Sequence, residues 1–334
     1  MAWHVYLSAV VSRLIFIFHA LIAVWRVTYV TNNFMYYLLL LLTLLIFVEM
    51  IVTIVIQKGS DYKGFSPALF FYLINIIPPI WILEVHQLFK QLQSKECDAS
   101  KENSTCAYFI QPDRLPHGGS QMNSSSTLKF KILENVDWIL GLHQTLLIIL
   151  VVGKWILPMG TGVNRDQLSQ LLLMFVGTAA DILEFKSETL SDNGVRCCVE
   201  LVFAILALWT WSMLQFPLDL TVMQEEDEKL TEYHFPVWKE KLYKYRADLW
   251  TIFITIFIQD GPFFIFRLFL MLNRKIAHQM LLFFTIKNSL VLTLQIYRLV
   301  VIYLEICQPC QKENQAITEA NVAPAPTELE EVCE

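Results

Sequence analysis

Apolar runs of about 17 to 23 residues recur along the whole chain, each long enough to cross a hydrocarbon core of about 30 Å at 1.5 Å per residue. That repetition leaves one broad class, a polytopic membrane protein. Composition points the same way. Of 334 residues 55% are apolar and only 17% charged, against about 25% charged in ordinary soluble domains. A soluble globular enzyme, a disordered chain and a nucleic-acid binder are excluded, and a net charge of −6 offers no surface for a polyanion.

The pattern predicts an all-α transmembrane bundle of about eight spans within residues 1–306. They cover roughly 5–25, 34–56, 67–83, 136–157, 167–185, 199–216, 249–271 and 280–304. Pro78-Pro79 should kink the third span or end it early, and Gly261-Pro262 should break the seventh. The first run has Arg13 at its centre and no cleavage pattern after Trp25, so it is expected to stay as a span. No internal repeat is visible. Residues 307–334 read as an acidic, disordered cytosolic tail.

Orientation follows from independent cues. The polar segment 87–134 holds two glycosylation sequons, at Asn103 and Asn123, and two cysteines, Cys97 and Cys106, a candidate disulfide in an oxidising lumen. Lys58, Lys63, Lys154, Arg165 and the cations between Lys229 and Arg246 then fall on the cytosolic side. They outnumber Arg26, Lys186, Arg196, Arg274 and Lys275 outside. Both termini are expected in the cytosol, in the secretory pathway or plasma membrane. The connection 222–248 carries an acidic run, then Trp238, Leu242, Tyr245 and Leu249 at one-face spacing among basic residues, a candidate amphipathic helix on the inner leaflet. Cys307 and Cys310 sit at a membrane edge, where an acyl chain or no role at all suits them better than redox chemistry.

Ionisable residues inside spans are costly and mark functional candidates. Arg13 and Glu49, at similar depth on consecutive antiparallel spans, form a salt-bridge candidate. Gly177, Ala180, Asp181 and Glu184 share a helix face expected to point into the bundle. Asp260 with Arg267, and Lys287 with Arg298, share faces by spacing, and Asn288 and Gln295 lie beside the second pair. The intramembrane charges Asp181, Glu184, Asp260, Arg267, Lys287 and Arg298 are therefore the binding candidates. His19, His143 and Asp181 are weak candidates for a metal, without a local ligand motif to support them.

The stretches 140–148 (LGLHQTLLI), 165–185 (RDQLSQLLLMFVGTAADILEF), 209–220 (WTWSMLQFPLDL) and 258–268 (IQDGPFFIFRL) resemble the transmembrane protein 26 family. The likeness extends over about residues 1–305. It implies a multi-pass membrane protein and transfers no catalytic or ligand residue. Three functional readings stay open. One is a non-enzymatic protein whose buried charges orient helices and which acts through lipids or protein partners, without a cofactor. Another is a transporter or channel using the outer-half charges and the break at Asp260-Pro262. The third is a zinc-dependent membrane hydrolase.

Overall fold

A computed structural model of the protein describes residues 2–56, 65–92, 125–157, 165–190, 193–218, 242, 244–274 and 278–319. The described residues are helical apart from short turns and a single bridge between Phe65 and Leu218. Six helices among them are long and apolar enough to cross a membrane. The chain divides into two compact units, Met1–Tyr62 with Ser66–Pro217, and Lys63–Phe65 with Leu218–Glu334.

The first unit begins with α1, Ala2–Thr31. Its outward side carries Leu7, Leu14, Phe18, Leu21 and Trp25 at helical spacing, all exposed, whereas Ala9, Ala20 and Ala23 are buried. Phe16, Ile17, Val24 and Val27 are buried beside them, and the alanines let neighbouring helices approach closely. Helix α1 outlasts the expected span, and in its last turns Thr28 and Thr31 donate their hydroxyls to the carbonyls of Val24 and Val27. It stops at Asn32, whose φ of 51° is the left-handed conformation Asn tolerates at a helix end. Asn33 then caps a 3-10 segment, Phe34–Leu42, by accepting from the Met35 N–H, and α2 follows as Thr43–Val55.

Helix α3, Pro67–Leu92, contains Pro78 and Pro79 and continues through them, so the expected early end does not occur. Each proline removes one helical hydrogen bond, and the turns on either side retain theirs. Helix α4 is Ser125–Ile156 and α5 is Arg165–Thr189. A one-turn α6, Asn193–Arg196, precedes α7, Val199–Met213. The fifth and sixth expected spans fall on α5 and α7, and neither is among the six qualifying helices. Asp181, Glu184 and Lys186 interrupt the apolar run of α5, and α7 has only 15 residues.

In the second unit, α8, Arg246–Ile254, passes into a π-helical turn, Thr255–Asp260, and then into α9, Gly261–Asn273. The seventh span is thus widened by a π turn just before Gly261-Pro262 rather than interrupted there. The Pro262 ring would meet the carbonyl four residues back, and a π turn moves that carbonyl aside. Gly261 donates its N–H to the Ile256 carbonyl, and a Cβ placed there would lie 2.1 Å from that oxygen. Only glycine fits this approach. The last helix, α10, runs Gln279–Glu319, well past Leu304. A core of Ile252, Ile302 and Ile306 joins α8 to α10, with Tyr245 and Leu249 packed on it. Those two residues pack on a protein core, while Leu242 is exposed and Trp238 lies outside the described residues.

Candidate functional site

Two buried ion pairs stand out among the described residues of the first unit. Arg13, on α1, donates to Glu49, on α2, through Nη2 at 2.8 Å and Nε at 3.1 Å. Both residues are at most 5% exposed. Thr53 donates to the same carboxylate at 2.8 Å, while the Ser12 hydroxyl and the Ala9 carbonyl accept from Arg13 Nη1. Such extra hydrogen bonds are what allow a charge pair to be held away from water.

The second pair is the richer one. Lys186, in the last turn of α5, donates to Glu84 of α3 and to Nε2 of His143 of α4, the latter at 2.8 Å. Nδ1 of His143 lies 2.9 Å from the Ile139 carbonyl, so that nitrogen carries the proton and Nε2 accepts. The Trp209 ring of α7 packs on the imidazole with centroids 4.8 Å apart. Three helices therefore meet at one ammonium group, and α7 backs the imidazole. Helix α5 favours a cation at this position, since its last carbonyls point toward it.

A cavity of about 210 Å³ opens beside this cluster. Glu84, Gln87, Lys186 and Arg196 supply its polar wall, and Leu88, Ile139 and Val202 belong to its apolar one. Arg196 is anchored by its Nε, which donates to the Leu190 carbonyl at 3.0 Å. One carboxylate against two strong bases leaves the wall with a surplus positive charge. Leu88, Val202 and Leu206 form a packed core between α3 and α7, and the Trp81 indole donates to Thr210 at 2.8 Å. The polar wall thus stands on a fixed scaffold.

A scan of family models matches the chain to Transmembrane protein 26 over residues 3–298. The chain belongs to the transmembrane protein 26 family. It is accordingly a multi-pass membrane protein, and the apolar helices described above agree with that membership. No solved structure shows significant similarity to this family member.

The residues singled out from sequence are distributed differently from expectation. On α5, Gly177 and Ala180 are exposed and Asp181 and Glu184 half-buried, while Phe175, Ala179, Ile182 and Phe185 are buried. The apolar face wins the bundle interior because burying it costs no charge desolvation. Among the described residues no three His, Cys, Asp or Glu side chains gather as metal ligands. His143 faces Lys186 and Glu84, and His19 sits with its Nδ1 2.7 Å from the Tyr72 hydroxyl. In the second unit Asp260 and Arg267 are buried, and the Arg267 guanidinium lies 5.1 Å from the centroid of the Phe284 ring. Lys287 contacts that ring too, at 5.9 Å. Arg298 instead pairs with Asp248 at 2.8 Å on an exposed surface, so Lys287 and Arg298 have separate partners. Tyr245 donates its hydroxyl to Glu305, and that bond raises the pKa of the phenol.

Glu84 and Lys186 escaped the sequence reading because each lies one residue beyond an expected span end, at Leu83 and Phe185. The apolar Leu88 one turn past Glu84 was the available signal that α3 continues. Lys154 and Arg26, read as loop cations, are buried in α4 and α1; Lys154 is 5.6 Å from the Phe175 ring centroid and Arg26 4.8 Å from that of Trp138. Cys197 and Cys198 are both disulfide-bonded, which sequence reading did not assign. Cys97, Cys106, Asn103 and Asn123 lie outside the described residues, and Cys307 is a buried free thiol.

Proposed function

We propose that this protein is a non-enzymatic membrane component. Its buried ion pairs orient the helices, and its Lys186–Arg196 cavity receives the anionic head of a membrane lipid. The observation that carries this reading is the surplus cation on the polar wall of a cavity whose other wall is apolar. An ammonium fixed between Glu84 and His143 is preorganised to meet a phosphate or carboxylate without rearranging, and the apolar wall suits an acyl chain.

Thermal unfolding of the purified protein with added phosphatidic acid or phosphatidylcholine tests it. Preferential stabilisation by the anionic lipid, lost in Arg196→Gln, supports the proposal. Equal stabilisation by both lipids overturns it. The topology that accompanies this reading puts both termini in the cytosol and the 87–134 loop outside. A glycosidase-sensitive mobility shift abolished by combining Asn103→Gln with Asn123→Gln supports that placement, and a shift insensitive to both substitutions contradicts it.

A transport reading draws support from the π turn at Thr255–Asp260, since such turns widen helices where function is concentrated. Solute or ion flux in reconstituted vesicles that falls in Asp260→Asn would favour it. Vesicles that show no flux under any imposed gradient would remove it.

A further inference from the structure

A second opening, of about 350 Å³, lies between α1 and α4 of the first unit. Its walls are His19 and Ile22 of α1 with Trp138, Gly141, Leu142 and Thr145 of α4, and it shares no lining residue with the Lys186 cavity. None of the six bears a formal charge when His19 is neutral. His19 is 3% exposed, and its ring is held in place by the Tyr72 hydroxyl at Nδ1. Tyr72 is itself fully buried, stacked on Phe16 with ring centroids 4.6 Å apart. The other imidazole nitrogen, Nε2, is buried and meets no hydrogen-bonding partner among the described residues.

Buried polar atoms are rarely left unmatched. His19, the residue that carries this one, lines a largely apolar groove, on a helix apolar enough to cross the bilayer. At Gly141 the wall is open, since an added Cβ would meet nothing within 4 Å. Thr145 donates its own proton to the Gly141 carbonyl at 2.7 Å, so toward the groove its oxygen can only accept.

We propose that this groove binds a membrane lipid consisting of a rigid apolar body and a single hydroxyl, a sterol. The hydroxyl pairs with His19 Nε2 once the groove parts enough to uncover that buried atom, and the body lies along Ile22, Leu142 and the flat strip at Gly141. A hydroxyl both donates and accepts, so it satisfies Nε2 in either tautomer. A carboxylate or phosphate would need a cation in the lining, and none of the six residues is one; the neighbouring Arg26 guanidinium is stacked on the Trp138 ring. The proposal is independent of the head-group reading above.

The test uses the full chain in nanodiscs with a photoreactive cholesterol analogue and peptide mapping of the label. The label is expected on the segment containing Trp138–Thr145, displaced by excess cholesterol and not by oleic acid. His19→Phe keeps an aromatic ring and removes Nε2 together with Nδ1, the partner of Tyr72; it should lower labelling by about threefold to tenfold, the equivalent of one hydrogen bond to the ligand. Gly141→Leu fills the groove from its open wall and should abolish labelling while the thermal unfolding midpoint holds. Where His19→Phe fails to fold, Gly141→Leu decides alone. Labelling that maps elsewhere, that survives Gly141→Leu in folded protein, or that oleic acid competes as well as cholesterol does overturns the proposal.

Discussion

The ammonium of Lys186 donates to the carboxylate of Glu84, 102 residues earlier, and so ties the last turn of α5 to α3. With His143 as a second acceptor, two of its three N–H donors are engaged although it is buried. Removing one partner strands the other charge. Lys186→Met should therefore lower stability by about 3–5 kcal/mol. Adding Glu84→Gln should recover part of that loss, with a coupling of about 0.5–3 kcal/mol in a double-mutant cycle of thermal unfolding. Strict additivity of the two substitutions would show that the pair does not act as a unit.

Arg13 and Glu49 should behave alike on a smaller scale of assembly, since they join consecutive helices. Glu49→Ala leaves the Arg13 guanidinium buried without its carboxylate and also takes the acceptor from Thr53. A loss of about 3–5 kcal/mol is expected. Glu49→Gln, which keeps a carbonyl acceptor for Thr53, should be the milder variant, and a reversed order would contradict this geometry.

Gly261 has no room for a methyl group, because its Cβ would lie 2.1 Å from the Ile256 carbonyl oxygen. Gly261→Ala should cost about 1–3 kcal/mol, as overpacking does, by forcing the π turn to change its pairing. Amide exchange at residues 255–261 should rise in that variant. Unchanged exchange with an unchanged unfolding midpoint would refute the constraint.

Arg298 and Asp248 provide the contrast, being 52% and 42% exposed at the side chain. Arg298→Ala in detergent should change stability by no more than about 1 kcal/mol, and added salt should shrink even that. A loss as large as that of Lys186→Met would mean that the pair is desolvated in the folded protein.

Much of the architecture was legible because apolar run length is a direct consequence of bilayer thickness. The Arg13–Glu49 pair was legible for a related reason: both residues interrupt such runs at matching depth on neighbouring helices. Helix ends were the weak point. Hydropathy falls at Glu84 and Lys186, yet the helices run on to Leu92 and Thr189, because hydrogen-bonded turns do not stop where apolarity does. The convergence at Lys186 needs three helices to meet, a tertiary fact without local spacing to announce it. The inward face of α5 was misjudged for a simpler reason. Small residues suggested close approach, but Phe175, Ile182 and Phe185 offered more area to bury.

The 102 residues between Glu84 and Lys186 also separate them in time. At about 5–20 residues per second of synthesis, roughly 5–20 seconds pass between the two. Throughout that interval α3 has left the ribosome with a carboxylate whose counter-ion does not yet exist, whereas Glu49 emerges after Arg13 and finds its partner waiting. Until α5 arrives, nascent α3 must keep Glu84 in water, against a chaperone or protonated, so the helix settles into the bundle only after its partner is made.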